Sequence, residues 1–239
     1  MEYGVQLYSV RDITKTDMRG ALWSIASQGY SFVEFAGFFD IEAGEIAAML
    51  AETGLRVSGT HTGIGELTSK TEETIAYHKA IGNKNIYIPS APLDTQEKID
   101  AFIADMAFLQ PRFEKEGIRL GFHNHAQEFL PNADGSVSME QLAYRTSLDL
   151  EIDTFWAYAA GVDPVAVMNR LKNRIPVIHI KDGFKDSKGM PLGQGTAPVK
   201  AVYETAVKLG IPMVVESETL SPDGLTETDI CIKYLRSLE

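Results

Sequence analysis

The chain has 239 residues, of which 44% are hydrophobic and 23% are charged, proportions that are ordinary for a soluble globular protein. Its formal net charge of −11 makes nucleic acid a poor candidate partner, because an acidic surface repels a phosphate backbone. The single cysteine, Cys231, excludes an internal disulfide and a cysteine metal cluster, and no apolar run approaches the roughly 20 residues that span a membrane. Strand-like sequence starts at Tyr3 without an export signal before it, so we expect a cytoplasmic protein, or a periplasmic one if a signal has been removed.

The predicted elements alternate regularly between strands and helices. Apolar and β-branched runs predict strands, in chain order, over residues 3–8, 31–36, 55–61, 85–89, 118–123, 148–153, 175–180 and 211–216. Apolar residues at helical spacing predict helices after them, over residues 17–29, 41–54, 69–82, 95–117, 139–146, 163–173, 197–210 and 223–238. This alternation indicates parallel strands joined by helical crossovers.

Eight such units of about 30 residues each fit a single α/β domain over residues 1–239, a closed (β/α)8 barrel of the TIM type. A doubly wound open sheet is the competing fold. That fold usually places a glycine-rich phosphate loop after its first strand, whereas residues 9–12 read Ser-Val-Arg-Asp. The sequence therefore predicts the barrel.

The predicted strands end in residues that bear chemistry. The end positions are Tyr8, Glu34, His61, Pro89, His123, Asp153, His179 and Glu216. Four of the five histidines lie at or just beyond such ends, and only His78 falls within a helix, where we expect packing or surface. Because the carboxyl ends of parallel strands share one edge of a barrel, the carboxylates and imidazoles are predicted to meet at one mouth.

Residues 177–182 are the most telling stretch, because a buried strand runs there into a histidine, a lysine and an aspartate. Strand alternation places His179 and Lys181 on the same face. The alternative is a core histidine bonded to backbone beside a solvated lysine. Asp153 has its own structural alternative, an N-cap for the turn that begins at Thr154.

Aspartate, histidine and glutamate around one point supply hard oxygen ligands and imidazole, a set that suits one Mn²⁺, Mg²⁺, Co²⁺ or Zn²⁺ ion. His125 lies in phase with His123, and Trp156 follows Asp153. We expect a substrate to be contacted by the remaining candidates at the mouth, Tyr8, Glu34, His61, His125 and Trp156.

Several short motifs together resemble the xylose isomerase-like sugar isomerase/epimerase superfamily of (β/α)8 barrels. They are GVQLYSVRD near the start, GFHNHAQEF, EIDTFWAYAAGVDP, VIHIKD, GQGT and VVESE. The resemblance covers nearly the whole chain, and it is specific for the superfamily rather than for a substrate.

The resemblance implies one divalent metal ion held by Glu, Asp, His and Glu from four strand ends. Asp153, His179 and Glu216 match three of these ligands. The first glutamate is replaced by His123, so either His123 is the fourth ligand, or Glu128 reaches in from the loop, or the metal is weak or absent.

For function, the resemblance implies isomerisation or epimerisation of a sugar or keto-sugar through an enediolate that a chelating metal stabilises. Elimination from the same enediolate would instead give a lyase or dehydratase. Related epimerases use two glutamates as acid and base; here only Glu216 remains, so His123, His125 or Lys181 would be its partner. We expect Glu216, His123 and Lys181 to be catalytic and a small carbohydrate to be the partner, without nucleic acid or membrane partners. The chain is expected to act either as a monomer or as a homo-oligomer.

Two functions of other classes compete with this one. A DNA-repair nuclease of the endonuclease IV type needs a three-zinc cluster with a ligand histidine three residues after the aspartate, where this chain has Trp156. A non-catalytic sugar-binding barrel or complex subunit is the second alternative, since the expected fifth-strand glutamate is missing.

Overall fold

The computed structural model describes residues 1–239 and confirms the closed parallel barrel. The eight barrel strands are β1 Gly4–Gln6, β2 Phe32–Phe35, β3 Arg56–His61, β4 Asn85–Ile88, β5 Arg119–His123, β6 Asp149–Asp153, β7 Ile178–Ile180 and β8 Met213–Val215. Each strand pairs in parallel with its neighbours in sequence, and β8 closes the barrel on β1.

Eight helices follow the strands and cover the barrel from outside. They are α1 Met18–Gln28, α2 Ala43–Thr53, α3 Thr71–Ala80, α4 Gln96–Lys115, α5 Ser138–Arg145, α6 Pro164–Leu171, α7 Val199–Leu209 and α8 Gly224–Ser237. Shorter helices span Arg11–Thr14, Ile64–Ser69 and Thr154–Ala159, and 3-10 turns span Leu7–Val10, Gln127–Phe129 and Lys172–Arg174. None of the helices combines the length and the apolar character that a membrane-spanning helix requires.

The predicted strands and helices are all present, with ends that differ by a few residues. β7 begins at Ile178 rather than at residue 175, and β8 begins at Met213 rather than at residue 211. In each case a proline, Pro176 or Pro212, precedes the observed strand, and proline lacks the N–H that a sheet ladder needs. A two-stranded antiparallel ribbon, Asp182–Gly183 with Gly189–Met190, follows β7 and was not predicted.

The barrel interior changes from apolar to polar along its axis. Phe32, Tyr87, Val177 and Val214 form a small buried cluster inside the barrel. The Tyr87 ring lies so close to Gly59 and Gly121 that a Cβ on either glycine would come within 2.6 Å of it. The two glycines therefore make room for a tyrosine that fills the barrel interior below the carboxylates and imidazoles at the strand ends.

His78 is buried on α3, where we expected packing or surface, and it gives a testable pH dependence. The Asn83 Nδ2 donates a hydrogen bond to its Nδ1 over 2.9 Å, and burial lowers the pKa of His78 to about 4. The unfolded chain takes up this proton near pH 6.5, so folding stability is complete above that pH and falls as the pH drops toward 4, by about 3 kcal/mol at most. Urea unfolding between pH 7 and 4 should show a shallower loss for His78→Gln than for the wild type. Equal losses would mean that His78 does not contribute.

Candidate metal centre at the barrel mouth

Four side chains that the sequence nominates as metal ligands come together at the carboxyl ends of the strands. Ligand atoms of His123, Asp153, His179 and Glu216 all lie within 4.8 Å of one another. His123, Asp153 and His179 lie on β5, β6 and β7, and Glu216 follows β8 directly. All four are buried, so a cation bound here would be largely shielded from water.

Asp153 serves two purposes at once. Its Oδ1 accepts hydrogen bonds from the amides of Phe155 and Trp156 at 2.9 and 3.0 Å, which caps the short helix that follows β6. Its Oδ2 is buried without a hydrogen-bond partner. The structural role foreseen for Asp153 is therefore present, and it leaves one oxygen for a ligand. Burial raises the pKa of Asp153 to about 7, although the Lys181 ammonium opposes the shift.

His179 is held so that one ring nitrogen faces the site. Its Nε2 lies 2.8 Å from Glu34 Oε1, and the amide of Gln6 donates to the same oxygen over 2.6 Å. Its Nδ1 has no hydrogen bond and lies 3.4 Å from Glu216 Oε2. Metal-ligating histidines usually donate their other N–H to a carboxylate in this way. The Glu34 contact thus orients the His179 ring so that Nδ1 points to the mouth.

We expect Glu34→Gln to lower the affinity for Mn²⁺ or Zn²⁺ about 10- to 100-fold, because a neutral amide holds the His179 N–H less strongly than a carboxylate does. Competition with a chelating dye measures this directly. The control Glu45→Gln, an exposed position on α2, should bind metal like the wild type. An unchanged metal affinity in Glu34→Gln would restrict Glu34 to packing.

A second group lies beside the first and includes a residue that sequence reasoning did not nominate. Ligand atoms of His61, His123, Glu151 and His179 also lie within 4.8 Å of one another. His61 Nε2 is 2.8 Å from Glu151 Oε2 and 3.1 Å from Glu34 Oε1. Glu151 precedes Asp153 by two residues, so strand alternation alone could have placed it on the same inner face.

Glu34 and Glu151 are fully buried, and their ionic contacts are with histidines rather than with lysine or arginine. Burial raises the pKa of Glu151 well above its usual range, and the nearby Glu34 carboxylate adds to the shift. Burial acts in the same sense on Glu34, but His179 and His61 outweigh it and lower the Glu34 pKa. The two carboxyl groups therefore lie against the imidazoles of His61, His123 and His179 beneath the mouth.

A cavity of about 300 Å³ opens above these groups. Its lining residues are Tyr8, Ala36, His61, Pro89, His123, His125, Glu216 and Glu218. Of the predicted substrate-binding residues, Tyr8, His61 and His125 line this cavity, whereas Glu34 lies buried below it. Trp156 stands beside the mouth with its ring centroid 5.7 Å from that of His125, and its Nε1 is buried without a partner.

Lys181 lies between two carboxylates at the mouth. Its Nζ is 3.3 Å from Glu216 Oε2, contacts Glu218, and lies 4.8 Å from the centroid of the Trp156 ring. Burial lowers its pKa, but Glu216, Asp153 and Glu218 outweigh burial and raise it above the usual value. Lys181 is therefore an ammonium that can donate hydrogen bonds, not a base.

Glu128, the alternative fourth ligand, belongs to neither of the two groups. Its Oε2 accepts a hydrogen bond from the backbone amide of His125 over 2.7 Å. Burial raises the pKa of Glu128, and the carboxyl stabilises the loop that presents His125. His123 is instead in both groups.

The residues at the mouth fit a divalent cation. Asp153 Oδ2, His123 Nδ1 and His179 Nδ1 are buried polar atoms without hydrogen bonds, and such atoms are rare unless something binds them. Two imidazoles and two carboxylates are also a ligand set that first-row divalent metals accept.

Comparison with known proteins agrees with the fold. A family model described as "Xylose isomerase-like TIM barrel" matches residues 24–238, and no curated protein matches the chain. Among solved structures, a sugar phosphate isomerase/epimerase from Parabacteroides distasonis ATCC 8503 is 22% identical with a TM-score of 0.85, covering 99% of this chain and 93% of that one.

Two further solved structures show the same architecture at lower identity. An L-ribulose 3-epimerase is 17% identical with a TM-score of 0.75, over 100% of this chain and 94% of that one. A probable 3-DHS dehydratase from Bacillus anthracis is 11% identical with a TM-score of 0.78, over 98% and 99%. At these identities the likeness concerns the fold.

Proposed function

The chain belongs to the xylose isomerase-like TIM-barrel family, and we propose that it is a divalent-metal-dependent isomerase or epimerase of a sugar or keto-sugar. The observation that supports this most directly is the convergence of His123, Asp153, His179 and Glu216 at the barrel mouth, within 4.8 Å of one another. The proteins named above as isomerase/epimerase and 3-epimerase share the fold, which agrees with the proposal.

In this proposal those four residues hold one Mn²⁺, Mg²⁺, Co²⁺ or Zn²⁺ ion. A bound cation polarises a carbonyl and so acidifies the neighbouring C–H. The buried carboxylates of Glu34 and Glu151 fix the imidazoles from below, as outer partners of metal ligands commonly do.

The chain's own residues move the proton. Glu216 lies at the cavity wall and keeps a lowered pKa, because Lys181 and His179 outweigh the effect of burial, so it is a carboxylate ready to accept the proton. Lys181 pairs with Glu216 and so keeps it in the ionised form that can accept a proton. The Glu216 carboxyl, once protonated, returns the proton to the neighbouring carbon, which completes an isomerisation. His123 faces the same cavity but is neutral, because burial lowers its pKa, so it acts as a ligand and not as the proton donor.

Elimination is the second candidate, favoured by the position of Lys181. The Lys181–Glu216 pair beside the cavity carries a proton that it can give to a leaving hydroxyl or glycosyl oxygen on the carbon next but one to the carbonyl, which leaves Lys181 as the neutral amine. The shared fold of a probable 3-DHS dehydratase agrees with such chemistry. Loss of that group instead of reprotonation would make the protein a lyase or dehydratase.

The test is hydrogen exchange in D₂O over a panel of ketoses and keto-glycosides, followed by proton NMR, with Mn²⁺-loaded and chelator-stripped protein. We expect loss of the signal next to the carbonyl only with the loaded protein, and a new isomer or an eliminated product identifies the reaction. A protein that holds no metal and exchanges no proton would support a sugar-binding barrel instead.

A further inference from the structure

The three places where a (β/α)8 barrel usually binds a substrate phosphate are already occupied by the chain's own carboxylates. In this fold a phosphate commonly sits on backbone amides of the loops after the seventh and eighth strands and at a nearby helix N-terminus. In this chain, each of these three sets of backbone amides donates hydrogen bonds to a carboxylate of the protein itself.

In the loop after β7, Asp182 takes up the available amides. Its Oδ2 accepts hydrogen bonds from Gly193 N and Gly195 N at 2.9 and 3.0 Å, and its Oδ1 accepts from Gly183 N and Ala197 N at 2.7 and 3.1 Å. A Cβ on Gly195 would lie 2.2 Å from Asp182 Oδ1, so the glycine is needed for this close approach. A buried carboxylate thus sits where four N–H groups converge.

In the loop after β8, Glu227 has the same role. This fully buried carboxylate accepts from the amides of Thr219 and Ser221 at 3.3 and 2.7 Å and from the hydroxyl of Ser217 at 2.6 Å.

The N-terminus of α8 is capped by two further carboxylates. Asp12 Oδ2 accepts from Gly224 N at 3.1 Å, and Asp223 Oδ1 accepts from Thr226 N at 2.7 Å. At whichever of the three places a phosphate entered, it would have to displace a carboxylate of the protein, and the negative charge of that carboxylate would repel it.

The basic side chains near the mouth, Lys181 and Arg11, are already paired with other groups of the protein. The residues that line the cavity include Glu216 and Glu218 but no lysine or arginine. Lys181 is 1% exposed and contacts both of those carboxylates. The Arg11 guanidinium donates to the backbone oxygens of Tyr8 and Glu218 at 2.9 and 2.7 Å.

We propose that the substrate is an uncharged sugar of a single ring, and that the mouth excludes sugar phosphates. This rests on the proposed function and narrows it to one substrate class. The cavity of about 300 Å³ is at the small end of ligand pockets, which agrees with one ring. The lining supplies carboxylate acceptors and imidazoles, groups that bind hydroxyls and a carbonyl rather than a dianion.

The experiment compares each free ketose with its own phosphate ester, using the Mn²⁺-loaded protein and exchange of the proton next to the carbonyl in D₂O. We expect every sugar that exchanges to be unphosphorylated, and its phosphate ester to have a kcat/KM lower by about 100-fold or more, because the amides that would hold the phosphate already bind carboxylates, whose charge repels it. A phosphate ester that exchanges as fast as its free sugar overturns the proposal.

Binding of inorganic phosphate to the metal-free protein, followed by ³¹P NMR, tests the exclusion without turnover, so it distinguishes failure of this proposal from failure of the proposed function. We expect no saturable binding in the millimolar range. Asp182→Ser frees four amides and should gain phosphate binding, whereas Asp186→Ser, an exposed position in the same loop, should not. Saturable phosphate binding to the wild type overturns the proposal that the mouth excludes phosphate. If the wild type and both variants all fail to bind phosphate, the proposal is still supported.

Discussion

Asp153→Asn should abolish both metal content and turnover while the barrel still folds. The amide can keep its oxygen toward Phe155 and Trp156 and so preserve the helix cap, but it places an NH₂ group where Oδ2 has no partner and would face the cation. We therefore expect a loss of metal affinity larger than the 10- to 100-fold that is typical of outer partners. Metal analysis after gel filtration, together with the deuterium-exchange assay, measures the two effects.

A matched control lies on the same strand. Asp149 is on the same inner face of β6, but its carboxylate pairs with Arg119 and it belongs to neither ligand group. Asp149→Asn should cost stability and keep its metal. Asp153→Ala would lose the cap as well, at about 1 kcal/mol, so the difference in unfolding free energy between Asp153→Ala and Asp153→Asn reports the cap alone. Full metal occupancy in Asp153→Asn would remove Asp153 from the ligand set.

His123→Ala should lower metal affinity by orders of magnitude, whereas Glu128→Gln should leave it close to that of the wild type. His123 belongs to both groups of ligand atoms and its Nδ1 has no hydrogen bond. The Glu128 carboxylate is engaged by the His125 amide, and a glutamine oxygen can accept the same bond. Isothermal titration of stripped protein with Zn²⁺ separates the two variants.

His125→Ala is the control for this pair, because it removes an imidazole from the same cavity wall without touching either ligand group. We expect it to bind metal normally and to lose affinity for the sugar. If Glu128→Gln loses the metal and His123→Ala retains it, then Glu128 is the fourth ligand and His123 does not bind the metal.

Sequence reasoning located the strands and helices because their periodicity is local. It also nominated the four candidate metal ligands His123, Asp153, His179 and Glu216, since the last residues of parallel strands must share an edge of the sheet. It erred mainly at the starts of β7 and β8, because Pro176 and Pro212 lack the N–H that a sheet needs. It also missed the ribbon after β7, because no short-range sequence pattern predicts that pairing.

What the sequence by itself determined is therefore the barrel and the kind of atoms at its mouth, because alternation and strand order depend on neighbours along the chain. Only the tertiary structure decided which nitrogen of His179 faces the site, because its partner Glu34 is 145 residues away and reaches it through closure of the barrel. Closure also decided that Glu151 lies against His61, and loop packing decided that Asp182 accepts hydrogen bonds from the amides of Gly193, Gly195 and Ala197. Such contacts depend on where distant strands and loops meet in space, and a one-dimensional pattern does not specify that.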